Sequence, residues 1–380
     1  MNLKAIVNGK IVRPTGILED AVLVVSQGVI SGIFDDVPAG AQVIDAGGLF
    51  VAPGFVDVHI HGSMGHDVMD QDEAGLKAIA KGIAANGTTS FLPTTLTMDR
   101  TDVYGALENI RKLKDEAIEG AHILGAHLEG PFINVKYKGA QNPAFIVPPD
   151  FSWIEDFKDV VKLVTYAPEM DEGFAFTKEV KEKTDVTLSM GHTDATYKQA
   201  CAAIDCGCSH VTHLFNAMTP LHHRDPGVVG AALMKDVYTE FIADTIHVDK
   251  DLFQLVKDAK GKDKIVLITD SMRAGCMKDG AYDLGGQVAH VKDGAARLEN
   301  GSLAGSVLTL NQGVRHFYEN SDATFVDAIH MASLNPATSI KVADKKGSLE
   351  VGKDGDIIFL DESFACHFTM VRGEVVYERI

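Results

Sequence analysis

The sequence predicts an α/β protein: a (β/α)8 TIM-type barrel over residues 53–344, with a small split β-sandwich domain formed by both termini, residues 1–52 and 345–380. Three observations predict it. Eight short apolar runs alternate with helical segments through the middle of the chain, the signature of a parallel sheet. The two ends carry strand patterns alone. His, Glu or Asp recurs at the ends of the central strand candidates, where a barrel presents its chemistry.

At the N-terminus, 4–7 and 10–13 flank Asn8-Gly9, the strongest short hairpin signal. A turn at Gln27-Gly28 divides 21–35, and a further strand region covers 41–51. Near the other end, 356–360 and 367–377 are β-like, the second divided by Arg372-Gly373. Neither terminal piece can bury a sheet face alone, so the two are expected to pair. The central strand candidates are 55–61, 88–93, 122–128, 162–167, 186–191, 210–214, 240–244 and 265–269. Between them, 102–119 sets Leu107, Ile110, Leu113 and Ala117 at helical spacing.

A chain of 380 residues that is 46% hydrophobic and 23% charged buries a large core and is not disordered. A formal net charge of −18 without a Lys/Arg cluster argues against nucleic acid and for a small-molecule partner. An anionic substrate then has to be met by local positive charge or metal ions. The five cysteines lack CxxC spacing and read as reduced thiols of a cytosolic protein, Cys206 and Cys208 being structural. With no basic-then-apolar leader and no run of about 18 apolar residues, no membrane association is expected. The expected location is the cytoplasm.

In FVDVHIHG (55–62), strand alternation puts Asp57, His59 and His61 on one face. Two imidazoles then point the same way, as a metal pair requires, and Gly62 lets the chain turn away. Recurrence makes the signal specific. His127-Leu128-Glu129 closes the third candidate, His192-Thr193-Asp194 follows the fifth, His213 closes the sixth, and Thr269-Asp270-Ser271 the eighth. Charged groups are buried only when paired or coordinating metal, so the set implies a divalent metal site. Imidazole-plus-carboxylate ligands suit zinc or iron, one or two ions per chain, without separating the two metals.

HxH after the first strand, a metal-bridging acid, two further histidines and an Asp after the last strand resemble the amidohydrolase superfamily, which the split β domain also fits. Within it, HLEGPF (127–132), KGAQNP (138–143), GHTDAT (191–196), HLFNAM (213–218), TDSMRA (269–274) and LAGS (303–306) are similar to motifs of the N-acetylglucosamine-6-phosphate deacetylases, in the same order. HLFNAM and HLEGP are specific to that branch; HxH is shared with dihydroorotases, deaminases and dipeptidases.

The resemblance implies a homodimer that removes acetate from a phosphorylated amino sugar. It implies that Glu129, His192 and His213 hold a principal ion, that His59 and His61 hold a second with Glu129 bridging, and that Asp270 is the catalytic acid/base. Substrate contacts would come from Ala140, Gln141, Asn216, Ala217, Arg224, His247 and Leu303, with Arg224 and His247 on the phosphate. The residue chemistry agrees: a metal lowers the pKa of bound water, a carboxylate beside it takes and returns a proton, and arginine offers phosphate a planar fork. Alone, Arg224 in LHHRDPG is a solvated loop arginine, and the HLFNAM context assigns it to substrate. His222 and His223 read as surface residues.

HLFNAM and LAGS speak against another amide or cyclic-amide hydrolase of the superfamily, such as a dihydroorotase, D-aminoacylase or isoaspartyl dipeptidase. The presence of every ligand type speaks against an inactive scaffold. Some members of the branch lack the first-strand histidines and carry a histidine in the segment that here reads KGAQNP. This chain has the opposite combination, so a second ion would polarise the carbonyl where Gln141 replaces that histidine.

Overall fold

Residues 3–379 are described by the computed structural model. Phe55–Ile60 and Ile265–Ile268 are buried at every position, as strands of a parallel sheet covered on both faces must be. Every central candidate overlaps a strand: Phe55–Ile60, Thr88–Pro93, Ala126–Glu129, Val161–Tyr166, Thr187–Met190, His210–Val211, Tyr238–Ile242 and Ile265–Ile268. The last six pair parallel in sequence order, and the first two pair parallel with each other. Single parallel bridges, Thr94 to His127 and Ile60 to Ser271, join the two groups. The third candidate is broken at Gly125, whose φ of +147° lets the chain step from His122–Ile123 to Ala126–Glu129.

The helix expected at 102–119 runs Arg100–Leu113, started by the Asp99 side chain accepting from the Thr101 amide. It stops before Ala117 because the polar run after Leu113 leaves an exposed Ala117 no core to face. No helix among the described residues is long and apolar enough to cross a membrane. All five cysteines are free thiols.

The terminal pieces share a sheet. Lys10–Arg13 and Phe50–Pro53 pair in parallel, and Phe50–Pro53 pairs with Ile357–Leu360, which leads on to Cys366–Val371 and Glu374–Glu378. A second sheet holds Val29–Phe34, Val22–Ser26, Leu3–Val7 and Gln42–Asp45. Ile6, Leu23 and Val25 of the latter meet Ile11, Val51, Phe359 and Phe368 of the former in one apolar cluster. The turns at Gln27-Gly28 and Arg372-Gly373 join hairpins, with positive φ at both residues of each.

The hairpin expected at Asn8-Gly9 does not form. Asn8 does turn the chain, at φ +54°, but Leu3–Val7 pairs with Val22–Ser26 and Gln42–Asp45, whereas Lys10–Arg13 pairs with Gly16–Leu18 and Phe50–Pro53. The turn passes the chain from one sheet to the other, because distant strands offer each neighbour a larger apolar face than the two offer each other.

A four-stranded antiparallel sheet that the sequence reading did not foresee follows the eighth parallel strand: Gly280–Leu284, Gln287–Lys292, Ala295–Leu298 and Leu303–Ser306. Leu284, Ala289, Val291, Ala296 and Leu298 cover Leu96 and Met272. The Gln287 side-chain amide ties the sheet to the KGAQNP loop by donating to the Ala140 carbonyl at 2.6 Å.

Candidate metal centre

The site is built where the parallel strands end. His59 and His61 project from Phe55–Ile60 and the residue after it, and Gly62 follows because a Cβ there would collide with the His66 carbonyl oxygen. Glu129 ends its strand. His192, His213 and Asp270 lie just past theirs with φ of +48°, +27° and +49°, a region that non-glycine residues occupy at a cost, often at functional sites. Gly305 of the LAGS segment, at φ +64°, lets that strand lie against the Asp270 carbonyl.

Glu129 is the hub. Its Oε1 stands 3.2 Å from His192 Nε2, 3.2 Å from His213 Nε2 and 3.3 Å from His59 Nε2, and its Oε2 stands 3.3 Å from His61 Nε2. The Nε2 atoms of His192 and His213 are 3.1 Å apart, and those of His59 and His61 3.3 Å. Each ring uses its other nitrogen outward: His61 to the Thr94 carbonyl at 3.2 Å, His192 to the Tyr137 carbonyl at 2.9 Å, His213 to the Asn216 carbonyl at 3.1 Å, and His59 to Glu240 Oε2 at 2.9 Å. Carbonyl oxygens only accept, so Nδ1 carries a proton in those rings, and each ring turns its Nε2 toward Glu129. A metal ion among them would take the Nε2 lone pairs in place of protons. Neighbouring ligands of a tetrahedral ion with bonds of ~2.1 Å lie roughly 3.4 Å apart, which is the spacing found. The donors therefore fit a divalent metal in two groups, Glu129 with His192 and His213, and Glu129 with His59 and His61.

The two carboxylates, Glu129 and Asp270, favour positive charge at this cluster, whether carried by protons or by a metal. Burial opposes a charge on His61, yet hydrogen bonds to Asp270 and Glu129 raise it to about 9. His59 is raised too, against burial, by Glu129, Glu240 and Asp270. Burial would push Asp270 up, but His59 and His61 hold it down at about 2. Glu129 is held well below the usual range, burial being overcome by His59 and His192. Two ionised carboxylates thus face rings that attract a positive charge. Asp57, the third residue on the first-strand face, is pushed up to about 7 by burial despite hydrogen bonds from Thr269.

A cavity of about 510 Å³ opens over this floor. His61, Glu129, His192, His213 and Asp270 line it, whereas His59 lies behind them, fully buried. Ala140, Gln141, Asn216, Ala217, His247 and Leu303 also line it. Gln141 is already engaged: its Nε2 donates to Glu129 Oε2 at 2.7 Å and its Oε1 accepts from the Thr97 amide at 2.8 Å. Arg224 stands apart, exposed on its loop beside His223 and outside the lining. His222 and His223 are exposed as well.

Three residues went unread in the sequence. Glu240 accepts from His59 Nδ1 and, at 3.1 Å, from the His213 amide; an acid inside the apolar strand Tyr238–Ile242 was the available signal. Asp244 accepts from His247 Nδ1 at 2.6 Å. Arg297 lines the cavity from the unforeseen sheet.

An α/β scaffold that gathers imidazoles and carboxylates at the ends of parallel strands, under an open cavity, defines a metal-dependent hydrolase. Residues 50–376 match the family model described as Amidohydrolase family. An N-acetylglucosamine-6-phosphate deacetylase of Bacillus subtilis (strain 168) is 41% identical over 333 residues, 86% of this chain and 84% of that protein. The crystal structure of the N-acetylglucosamine-6-phosphate deacetylase from Pasteurella multocida superposes with a TM-score of 0.94 at 32% identity, over 98% of this chain and 99% of that one. The Mycobacterium smegmatis enzyme, solved as a mutant in complex with N-acetyl-D-glucosamine-6-phosphate, gives 0.91 at 29% identity, over 99% and 100%. The chain belongs to the amidohydrolase family and, within it, to the N-acetylglucosamine-6-phosphate deacetylases.

Proposed function

We propose that this chain hydrolyses N-acetylglucosamine 6-phosphate to glucosamine 6-phosphate and acetate, with one divalent ion at Glu129, His192 and His213 and a second at His59 and His61. The convergence of four Nε2 atoms on Glu129 at the cavity floor carries the reading, together with relatives that bear this activity in their names. A bound divalent ion supplies Lewis acidity toward the amide carbonyl and lowers the pKa of water.

The chain supplies the rest. Asp270 stays ionised, so its carboxylate can take a proton from water and return it to the departing amine nitrogen. Its Oδ1 lies 3.3 Å from His61 Nε2, which fixes where that proton is held. Gln141 fixes one oxygen of Glu129, and Glu240 fixes the ring of His59. His247 holds its proton more strongly than a free imidazole, because burial is outweighed by the Asp244 carboxylate, and it presents that charge to the anionic end of the sugar. Asn216, Ala217, Ala140 and Leu303 shape the wall around the ring.

The same reading takes the parallel strands as one closed barrel over 53–344 and the terminal sheets as a sandwich. It takes the metal as zinc or iron, the protein as a cytoplasmic homodimer, and Arg224 as a phosphate contact. Pairing across the two single bridges and the shared apolar cluster support the first two; the others rest on the family. The test is acetate release from N-acetylglucosamine 6-phosphate by the purified protein. It is expected to stop on chelation and return with a divalent ion, and no release with zinc or iron would overturn the reading.

A further inference from the structure

The deacetylase reading needs a cation for the phosphate, and Arg224 lies outside the cavity of its own chain. The cavity has another. Arg297 sits on Ala295–Leu298, opposite Leu303 in the antiparallel register, and residues directly opposite on such strands show their side chains on one face. Ala296 and Leu298 take the other face, in the apolar cluster with Leu96 and Met272. Arg297 is therefore turned toward the cavity, which it lines beside Ser302, Leu303 and His247.

Its guanidinium is uncommitted. Among the described residues it makes one hydrogen bond, Nη1 to the Gly301 carbonyl at 3.0 Å, and no ion pair. By contrast Lys136, another cation of the lining, is paired with Asp194 at 2.8 Å. An unpaired arginine at a cavity mouth, in a chain of net charge −18, is the local positive charge that an anionic ligand requires.

The position also fits the ligand's shape. His247 lies on the same cavity lining as Asp270 and Arg297 and feels the charge of both. In a 2-acetamido sugar 6-phosphate the amide and the phosphate stand at opposite ends of the ring. With the amide placed at Asp270, the phosphate end is left to the cations elsewhere on the same lining, His247 and Arg297.

We propose that Arg297, together with His247, recognises the substrate phosphate from within the same chain. The inference rests on the deacetylase reading. Free N–H groups in a planar fork match phosphate oxygens, and the hairpin sheet that carries Arg297 becomes a specificity element added to the barrel.

The experiment measures kcat/KM of the metal-loaded protein for N-acetylglucosamine 6-phosphate and for N-acetylglucosamine. It compares wild type, Arg297→Ala, Arg297→Lys and Arg224→Ala. Wild type is expected to prefer the phosphorylated sugar. Arg297→Ala is expected to lower that preference roughly 10- to 100-fold, through KM more than kcat, with part restored by Arg297→Lys. A preference unchanged in Arg297→Ala, or one that falls only in Arg224→Ala, overturns the proposal. Calorimetric binding of glucosamine 6-phosphate against glucosamine separates this failure from that of the parent reading. A wild type that deacetylates neither sugar but loses affinity for the sugar phosphate in Arg297→Ala sinks the deacetylase and keeps the anion site. A wild type that binds both sugars equally sinks the anion site.

Discussion

The two halves of the centre are made by different means. His59 and His61 belong to a strand and its immediate continuation, where alternation alone aims both rings inward. His192, His213 and Asp270 sit past strand ends in left-handed backbone, each costing on the order of 1–3 kcal/mol. Neighbours hold them there: the Asn134 amide donates to the His192 carbonyl at 2.8 Å, the Asp270 amide to the His59 carbonyl at 2.8 Å, and the Ser306 amide to the Asp270 carbonyl at 2.7 Å. The first half is a floor fixed by sheet geometry. The second is a set of strained turns, and it brings both of its histidines and Asp270 to the cavity wall, where the first half brings only His61.

If the strained half carries the chemistry, Asp270→Asn is the change with the largest effect. It keeps the shape and removes the proton acceptor, so turnover is expected to fall about 10²–10⁴-fold while metal content stays near that of wild type. Steady-state kinetics with elemental analysis check both, and a variant that keeps a tenth of the turnover would end the distinction between the halves.

Next comes the floor. A His59→Asn, His61→Asn double variant is expected to bind one ion per chain where wild type binds up to two, and to lose on the order of 100-fold in turnover, the share of a second Lewis acid. Metal titration decides it. A fully active wild type that never exceeds one ion would leave the first-strand histidines as structural support.

The same contrast explains what the sequence made legible. His59 and His61 follow from period-two alternation, and the eight strands follow from short, largely apolar runs that alternate with helical segments. His192, His213 and Asp270 do not obey alternation, because positive φ turns each side chain out of register; their recurrence at the ends of strand candidates singles them out, and motif resemblance assigns their separate roles. Arg297 was missed with its sheet, although Gly285-Gly286 and Asp293-Gly294 are two-residue hairpin signals of the kind seen at Gln27-Gly28; both turns form, with positive φ throughout. The identical signal at Asn8-Gly9 failed. Turn chemistry specifies a bend, and distant apolar partners decide whether the strands beside it meet.

Glu240 links the halves and gives the finest test of their difference. Its Oε2 accepts from the His59 ring at 2.9 Å and from the His213 backbone amide at 3.1 Å, while its Oε1 is buried without a hydrogen-bond partner among the described residues. Glu240→Gln preserves the volume and can still offer one oxygen to both donors, so the fold survives and only the strength of the grip changes. A ligating imidazole depends on the group behind it for orientation and basicity, and loss of such a partner weakens metal binding about 10–100-fold. Because Glu240 holds His59 by its ring but His213 only by its backbone, the loss should fall on the ion at His59 and His61, near the lower end of that range. The ion at Glu129, His192 and His213 should change less. Competitive chelator titration of wild type and variant resolves the two affinities. Equal losses would show that Glu240 acts through packing among the parallel strands, and no loss at either ion would show that the strand alone orients His59.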